Sequence, residues 1–169
     1  VVGLVGSEMC IRDSPVAGPF FTFSVPEPTG VVGVVAPGES SLLGLVSVLA
    51  PVLATGCSAV VLASETRPLP AITQAEVLAT SDVPAGAANI LTGSVSELAP
   101  WLASHADVNG LDLTGVTDPD LATSLEQAAA QTLTRVIRPD PHEDFSAVPA
   151  PARMVAVLET KTVWHPVGT

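Results

Sequence analysis

Few side chains in this sequence are suited to chemistry. There are two cysteines, Cys10 and Cys57, and three histidines, His105, His142 and His165. No two of them share the close spacing of a metal-binding pair, so neither a structural zinc site nor a disulfide framework is expected. Cys57 falls between an apolar helical pattern and an apolar run, which reads as a small buried thiol. It has no base beside it in sequence to make it a nucleophile. His105 ends a predicted helix, where an imidazole serves as a cap, while His142 and His165 fall in a loop and a tail. Asp140, Glu143 and Asp144 form an acidic cluster that reads as a solvated loop. Trp101, with Leu98 and Leu102, reads as part of a helix face turned to the core, and Trp164 as an interface anchor near the chain end.

The 169 residues suit one domain of ordinary size, and 47% of them are apolar, enough for a sizeable core. Only 14% are charged, 4% are aromatic, and the net charge is −11. That balance excludes recognition of the nucleic-acid backbone or of an anionic membrane surface, both of which need Lys and Arg. A reducing, cytoplasmic setting is expected. Ser40 to Ser64 carries no charge and is long enough to span a bilayer. Pro51 and Thr55-Gly56 interrupt it, however, and its period changes midway. Leu42, Leu45, Val46, Leu49 and Leu53 recur at helical spacing, and Ala59 to Leu62 is a solid strand-type run, so a buried helix followed by a buried strand is expected.

The elements that must position any site follow from period and punctuation. Residues 1–14 have no usable period. The string GSEMCIRDS resembles translated sequencing-adapter read-through, so this leader, with Cys10, is set apart as non-native, and the natural chain is expected to begin upstream. Strands are expected at Thr22–Val25, Val31–Ala36, Ala59–Leu62, Ala87–Leu91, Leu111–Leu113 and Arg135–Ile137. Helices are expected from about Ser41 to Ala54, from Pro68 to Thr80, from Val95 to Ser104 with a Ser94/Glu97 capping box, and from Pro119 to about Leu133. The last has Asp118 as N-cap and Leu121, Leu125, Ala128, Ala129 and Leu133 on one face. Five βα-type units predict an α/β fold: a Rossmann-like parallel sheet with helices on both faces. Ligands of such sheets bind beyond the carboxyl ends of the strands, where the strand order switches. No GxGxxG follows the first strand. Residues 139–152, with four prolines, read as a linker, and Met154 to Val163 as a strand protruding from the sheet.

At this point the residues resemble a family. Gly30-Val-Val-Gly-Val-Val-Ala-Pro37 resembles the GVVGVIAPWN segment of aldehyde dehydrogenases, and Leu49-Ala-Pro-Val-Leu-Ala-Thr-Gly56 resembles their APALAAGN. Val60 to Pro68 is similar to VLKPSE followed by TP. Val83-Pro-Ala-Gly-Ala-Ala-Asn-Ile-Leu-Thr-Gly93 is similar to LPPGVVNVVTG, and His105-Ala-Asp-Val with Leu113-Thr-Gly115 resembles HPDV…FTGS. The blocks keep their order over residues 20–138. Glu159-Thr-Lys-Thr-Val-Trp-His-Pro166 resembles the family's C-terminal oligomerisation strand. The resemblance implies a dinucleotide-binding domain over 15–138 and an oligomerisation strand over 153–169. It also implies NAD or NADP as cofactor, with Pro37, Glu65, Gly93, Thr114 and Gly115 as the residues that line it.

The departures carry equal weight. Gly38 and Glu39 stand where the family has Trp and the Asn that donates to the oxyanion, and a carboxylate there would repel developing negative charge. Leu62 stands at the Lys of KPSE, Val116 at the Ser of FTGS and Pro139 at the general-base Glu. The domain carrying the nucleophilic Cys is missing between residues 138 and 159, so no catalytic residue is assigned. Two functions are therefore expected to compete. One is a non-catalytic scaffold or partner subunit, homo-oligomeric or paired with an active aldehyde dehydrogenase, whose cofactor binding is weak or lost. The other is a fragment of an active NAD-dependent enzyme that oxidises an aldehyde to an acid.

Overall fold

A computed structural model describes residues 20–148 and 151–167. The leader assigned to residues 1–14, with Cys10, lies outside the described residues. The strands are β1 Phe20–Pro28, β2 Val31–Val35, β3 Ser58–Leu62, β4 Ala88–Leu91, β5 Gly110–Asp112, β6 Arg135–Ile137 and β7 Leu158–Pro166. The helices are α1 Leu43–Ala54, α2 Leu69–Ala79, α3 Val95–Ser104, α4 Pro119–Ala130 and a single turn, α5 Ala152–Ala156. The described chain divides into two compact units, Pro28–Val157 and the residues flanking it.

In the larger unit, β4-β3-β2-β5-β6 form one parallel sheet. The chain moves outward from β2 to β3 and β4, then crosses back to β5 and β6, so the order switches between β2 and β5. Alternation along the strands separates two apolar layers. Val32, Val34, Ala59 and Val61 pack with Leu45, Val48, Leu49 and Val52 of α1 and Ala71 of α2. Val35, Leu62, Leu111 and Leu113 pack with Ala99 and Ala103 of α3 and Ala122, Leu125 and Ala129 of α4. The expected α/β sheet with helices on both faces is the observed one. Among the described residues no helix is long and apolar enough to cross a membrane.

Several expectations give way to tertiary packing. Trp101 is 73% exposed. Ala99 and Ala103, one turn apart, take the inward position of α3, which turns Trp101 to the opposite side. Helix α4 ends before Leu133. The Thr134 N–H donates to Ala129 O at 3.0 Å and the Leu133 N–H to Ala130 O at 3.4 Å, a Schellman closure. Leu133 takes its left-handed position at φ 56° and is 90% exposed, so it leaves the apolar face. The Ser94/Glu97 capping box does not form, and the Ser94 hydroxyl pairs with that of Ser96.

The stretch read as a linker is instead part of the larger unit. Phe145 and Ile137 pack against the first apolar layer, and α5 packs on α1. Val157 is buried, and its carbonyl accepts from Thr29 N at 3.0 Å and from the Cys57 thiol at 3.4 Å. Met154 to Val157 consequently belong to a helical turn and its exit, and the last strand starts at Leu158. The smaller unit pairs β1 with β7 in a separate two-stranded sheet. Within it Ser24 and Thr162 hydroxyls lie 2.8 Å apart and Lys161 pairs with Glu27 at 3.0 Å. Phe20, Phe21 and Trp164 remain exposed on these strands.

Candidate functional site

The carboxyl ends of β2, β3 and β5, on either side of the switch in strand order, border a cleft of about 570 Å³. Its walls come from Ala36–Glu39 after β2, Ser64–Thr66 after β3, the first turn of α3, Thr114–Asp118 between β5 and α4, and Asp140, Pro141, Glu143 and Phe145 after β6. Four of the five residues expected to line a cofactor meet here: Pro37, Glu65, Thr114 and Gly115. Gly93 does not line the cleft. A Cβ there would stand 2.6 Å from Leu98 Cδ1, so this glycine serves close packing at the start of α3. Gly115 has a similar duty. Its N–H donates to Val35 O at 2.9 Å, and a Cβ would fall 2.2 Å from Ala36 O, so only glycine lets the β5 exit cross the end of β2.

Two helix N-termini face this cleft, and each has one of its free amides taken by a carboxylate of the chain itself. Glu65 Oε1 accepts from Val95 N at 2.5 Å, taking the first free amide of α3 in place of the absent Ser94 cap. Asp118 Oδ1 accepts from Asp120 N at 2.9 Å and caps α4. Helix N-termini attract anions through these same amides. Glu39, Asp140 and Glu143 add further carboxylates to the lining, and no Lys or Arg is among the lining residues. Leu62 is fully buried in the second apolar layer and Val116 nearly so. The two positions at which the family resemblance expects an ammonium and a hydroxyl are therefore core.

The site's strongest polar constellation centres on two residues that carried no expectation, Asp112 and Arg153. Asp112, at the end of β5, is 1% exposed. Its Oδ2 accepts from Arg153 Nη1 at 2.6 Å, and its Oδ1 accepts from the Thr114 amide at 2.9 Å and the Thr114 hydroxyl at 2.5 Å. Arg153 Nη2 also donates to Thr114 Oγ1 at 3.0 Å, and its Nε and Nη2 hold Glu143 at 3.1 and 2.5 Å. Glu143 is therefore paired rather than simply solvated, and the Thr114 side chain is spent on both Asp112 and Arg153. Burial pushes the Asp112 carboxyl above the ordinary carboxylate range, and the Arg153 guanidinium and Thr114 donors pull it part of the way back. Arg153 is held above its ordinary value: its own burial works against the charge, and Glu143 and Asp112 outweigh that cost. Two signals in the sequence pointed here: a lone acid inside the apolar run Leu111–Leu113, and the single Arg between residues 139 and 157.

The remaining candidates lie off the cleft. Cys57 is buried and bonded to the backbone, as expected of a structural thiol. His105 caps α3 as expected. Its Nδ1 accepts a hydrogen bond from Asp107 N at 3.2 Å, which closes the turn after the helix. Among the described residues no group of His, Cys, Asp and Glu could hold a metal ion.

Residues 10–138 match the model of the aldehyde dehydrogenase family. The match includes the last five residues of the leader set apart above. The chain is 40% identical over 109 residues to the chloroplastic betaine aldehyde dehydrogenase of Amaranthus hypochondriacus, covering 63% of this chain and 22% of that protein. It is 37% identical over 127 residues to aminoacetaldehyde dehydrogenase of Pseudomonas aeruginosa, covering 73% and 25%. Among solved structures, betaine aldehyde dehydrogenase of Staphylococcus aureus in complex with NAD+ superposes with a TM-score of 0.68 at 32% identity, covering 73% of this chain and 24% of that one. The chain thus spans about a quarter of the length of the relatives it matches.

Proposed function

The chain belongs to the aldehyde dehydrogenase family, and from that premise we infer that it is a non-catalytic relative of the cofactor-binding domain, serving as a scaffold or partner subunit. One observation carries this reading: the helix N-termini of the cleft are capped by the chain's own Glu65 and Asp118. A dinucleotide diphosphate would meet carboxylates where it needs amides, and would find no cation in the lining to offset them. The residues present therefore do not fit NAD or NADP, and binding is weak or lost. The Gly38-Glu39 and Pro139 substitutions support the loss of turnover, since the oxyanion donor and general base that they replace are each worth orders of magnitude in rate.

Oligomer formation through the smaller unit fits the same role. A two-stranded sheet is marginal alone in water, and β1 and β7 leave Phe20, Phe21 and Trp164 exposed. Adding a strand from another copy, or from an active aldehyde dehydrogenase, would extend the sheet and cover them. The second reading, a fragment of an active NAD-dependent aldehyde dehydrogenase, rests on the quarter-length coverage of the relatives. The non-catalytic assignment is tested by incubating the purified chain with aldehydes and NAD or NADP. No cofactor reduction above a protein-free blank is expected. Reduction that disappears in Cys57→Ala would overturn the non-catalytic assignment.

A further inference from the structure

We propose that Arg153 is a latch that holds residues 140–145 in place as a removable wall of the cleft. Its guanidinium bridges two elements. On one side it binds Asp112 and Thr114 at the fixed end of β5; on the other it grips both oxygens of Glu143. The segment that Glu143 belongs to has little else to keep it there. Its hydrogen bonds are local: His142 N to Asp140 Oδ1, Glu143 N to Asp140 O, and Ser146 N and Oγ to Asp144 Oδ1. Among the described residues, besides Glu143, half-buried Phe145 ties it to the rest of the unit, by packing on the first apolar layer. Segments with few nonlocal bonds open at a small free-energy cost, so the bidentate ion pair controls whether this wall is in place. Arg153 itself stays anchored when the wall leaves, because Asp112 is buried and part of the sheet. The latch rests on the reading of the cleft as a former ligand site only for what it shuts out. Its closure is measured by thiol chemistry, without a dinucleotide.

Ser64, a buried residue of the same cleft, provides the probe position. The full chain is prepared as Cys10→Ser with Ser64→Cys, and alkylation by iodoacetamide is followed with Glu143 intact, with Glu143→Ala and with Glu143→Gln. Glu143→Ala leaves the Asp112–Arg153 pair untouched, so the sheet keeps its fold. Losing a charge-assisted bidentate bond changes an opening equilibrium by about tenfold or more. Alkylation at position 64 is therefore expected to accelerate about tenfold or more in Glu143→Ala and less in Glu143→Gln, while buried Cys57 reacts at its original rate. Equal rates at position 64 with and without Glu143 overturn the latch. So does parallel acceleration at Cys57, which would mean that the whole unit had loosened. If position 64 opens as expected and NAD still does not bind, the latch stands and the site is closed by its carboxylate caps as well.

Discussion

In the sheet, Val32, Val34 and Val61 on one face and Val35, Leu62 and Leu111 on the other sit in continuous apolar layers, each strand reading as a β-type run. At the ends of the same strands the lining is polar, and its charged groups have turned inward on the chain. Glu65 caps α3, Asp118 caps α4, and Asp112 and Glu143 share Arg153. The contrast is the one expected if, as proposed, a binding fold has outlasted its ligand chemistry. The layers are maintained collectively, since any one substitution leaves a void or a clash. The polar groups need only a partner, and a partner inside the chain satisfies them as fully as a ligand would.

Four substitutions separate the two regions. Arg153→Met should have the largest effect, destabilising the larger unit by about 3–5 kcal/mol at neutral pH, because it leaves the buried Asp112 charge uncompensated. The effect should depend on pH. Burial already raises the Asp112 carboxyl, and removing Arg153 raises it further. A group whose folded-state pKa is raised favours the fold most below its unfolded value and loses that contribution as pH rises through the folded value. The penalty measured by denaturant unfolding should therefore shrink toward pH 4 and grow toward pH 7; an equal penalty at both would contradict an ionised, buried Asp112. Leu125→Ala, in the second apolar layer, should cost about 2–4 kcal/mol at either pH, being a cavity and not a charge effect. Asp118→Ala should cost only about 1 kcal/mol through the lost cap on α4, read as a modest fall in the urea midpoint. Leu133→Gly should do the opposite. Leu133 is exposed and held at positive φ, so glycine there should stabilise by roughly 0.5–1 kcal/mol, and a lower melting temperature would refute the Schellman closure.

The same contrast sets what was legible in the sequence. Period and punctuation placed β6 and α3 at their observed bounds and the other core elements within a few residues, because burial on both faces leaves a solid apolar signal. Asp118 was readable as a cap because its partner amide lies two residues on. Pairings distant in sequence left no local pattern. Nothing adjacent to Glu65 announces that it serves α3, and Arg153 meets Asp112 across 41 positions. Trp101 shows the converse limit: an aromatic on an amphipathic helix suggested core, yet Ala99 and Ala103 take the buried stripe, Leu98 and Leu102 pack partly beside them, and Trp101 is left on the exposed side. Met154 to Val157 looked extended by composition and became a turn of helix because α1 offered that segment a surface to pack on.

The most direct test of the account is titration calorimetry of NAD into the full chain. Each hydrogen bond lost at a charged or polar contact costs about 1–3 kcal/mol, so positions 62 and 116 together weaken affinity by about thirtyfold or more, before the carboxylates on both helix N-termini are counted. The account predicts no saturable heat below about millimolar NAD. A micromolar dissociation constant, weakened by Glu65→Ala, would contradict it, because Glu65 would then be serving the cofactor rather than standing in its place.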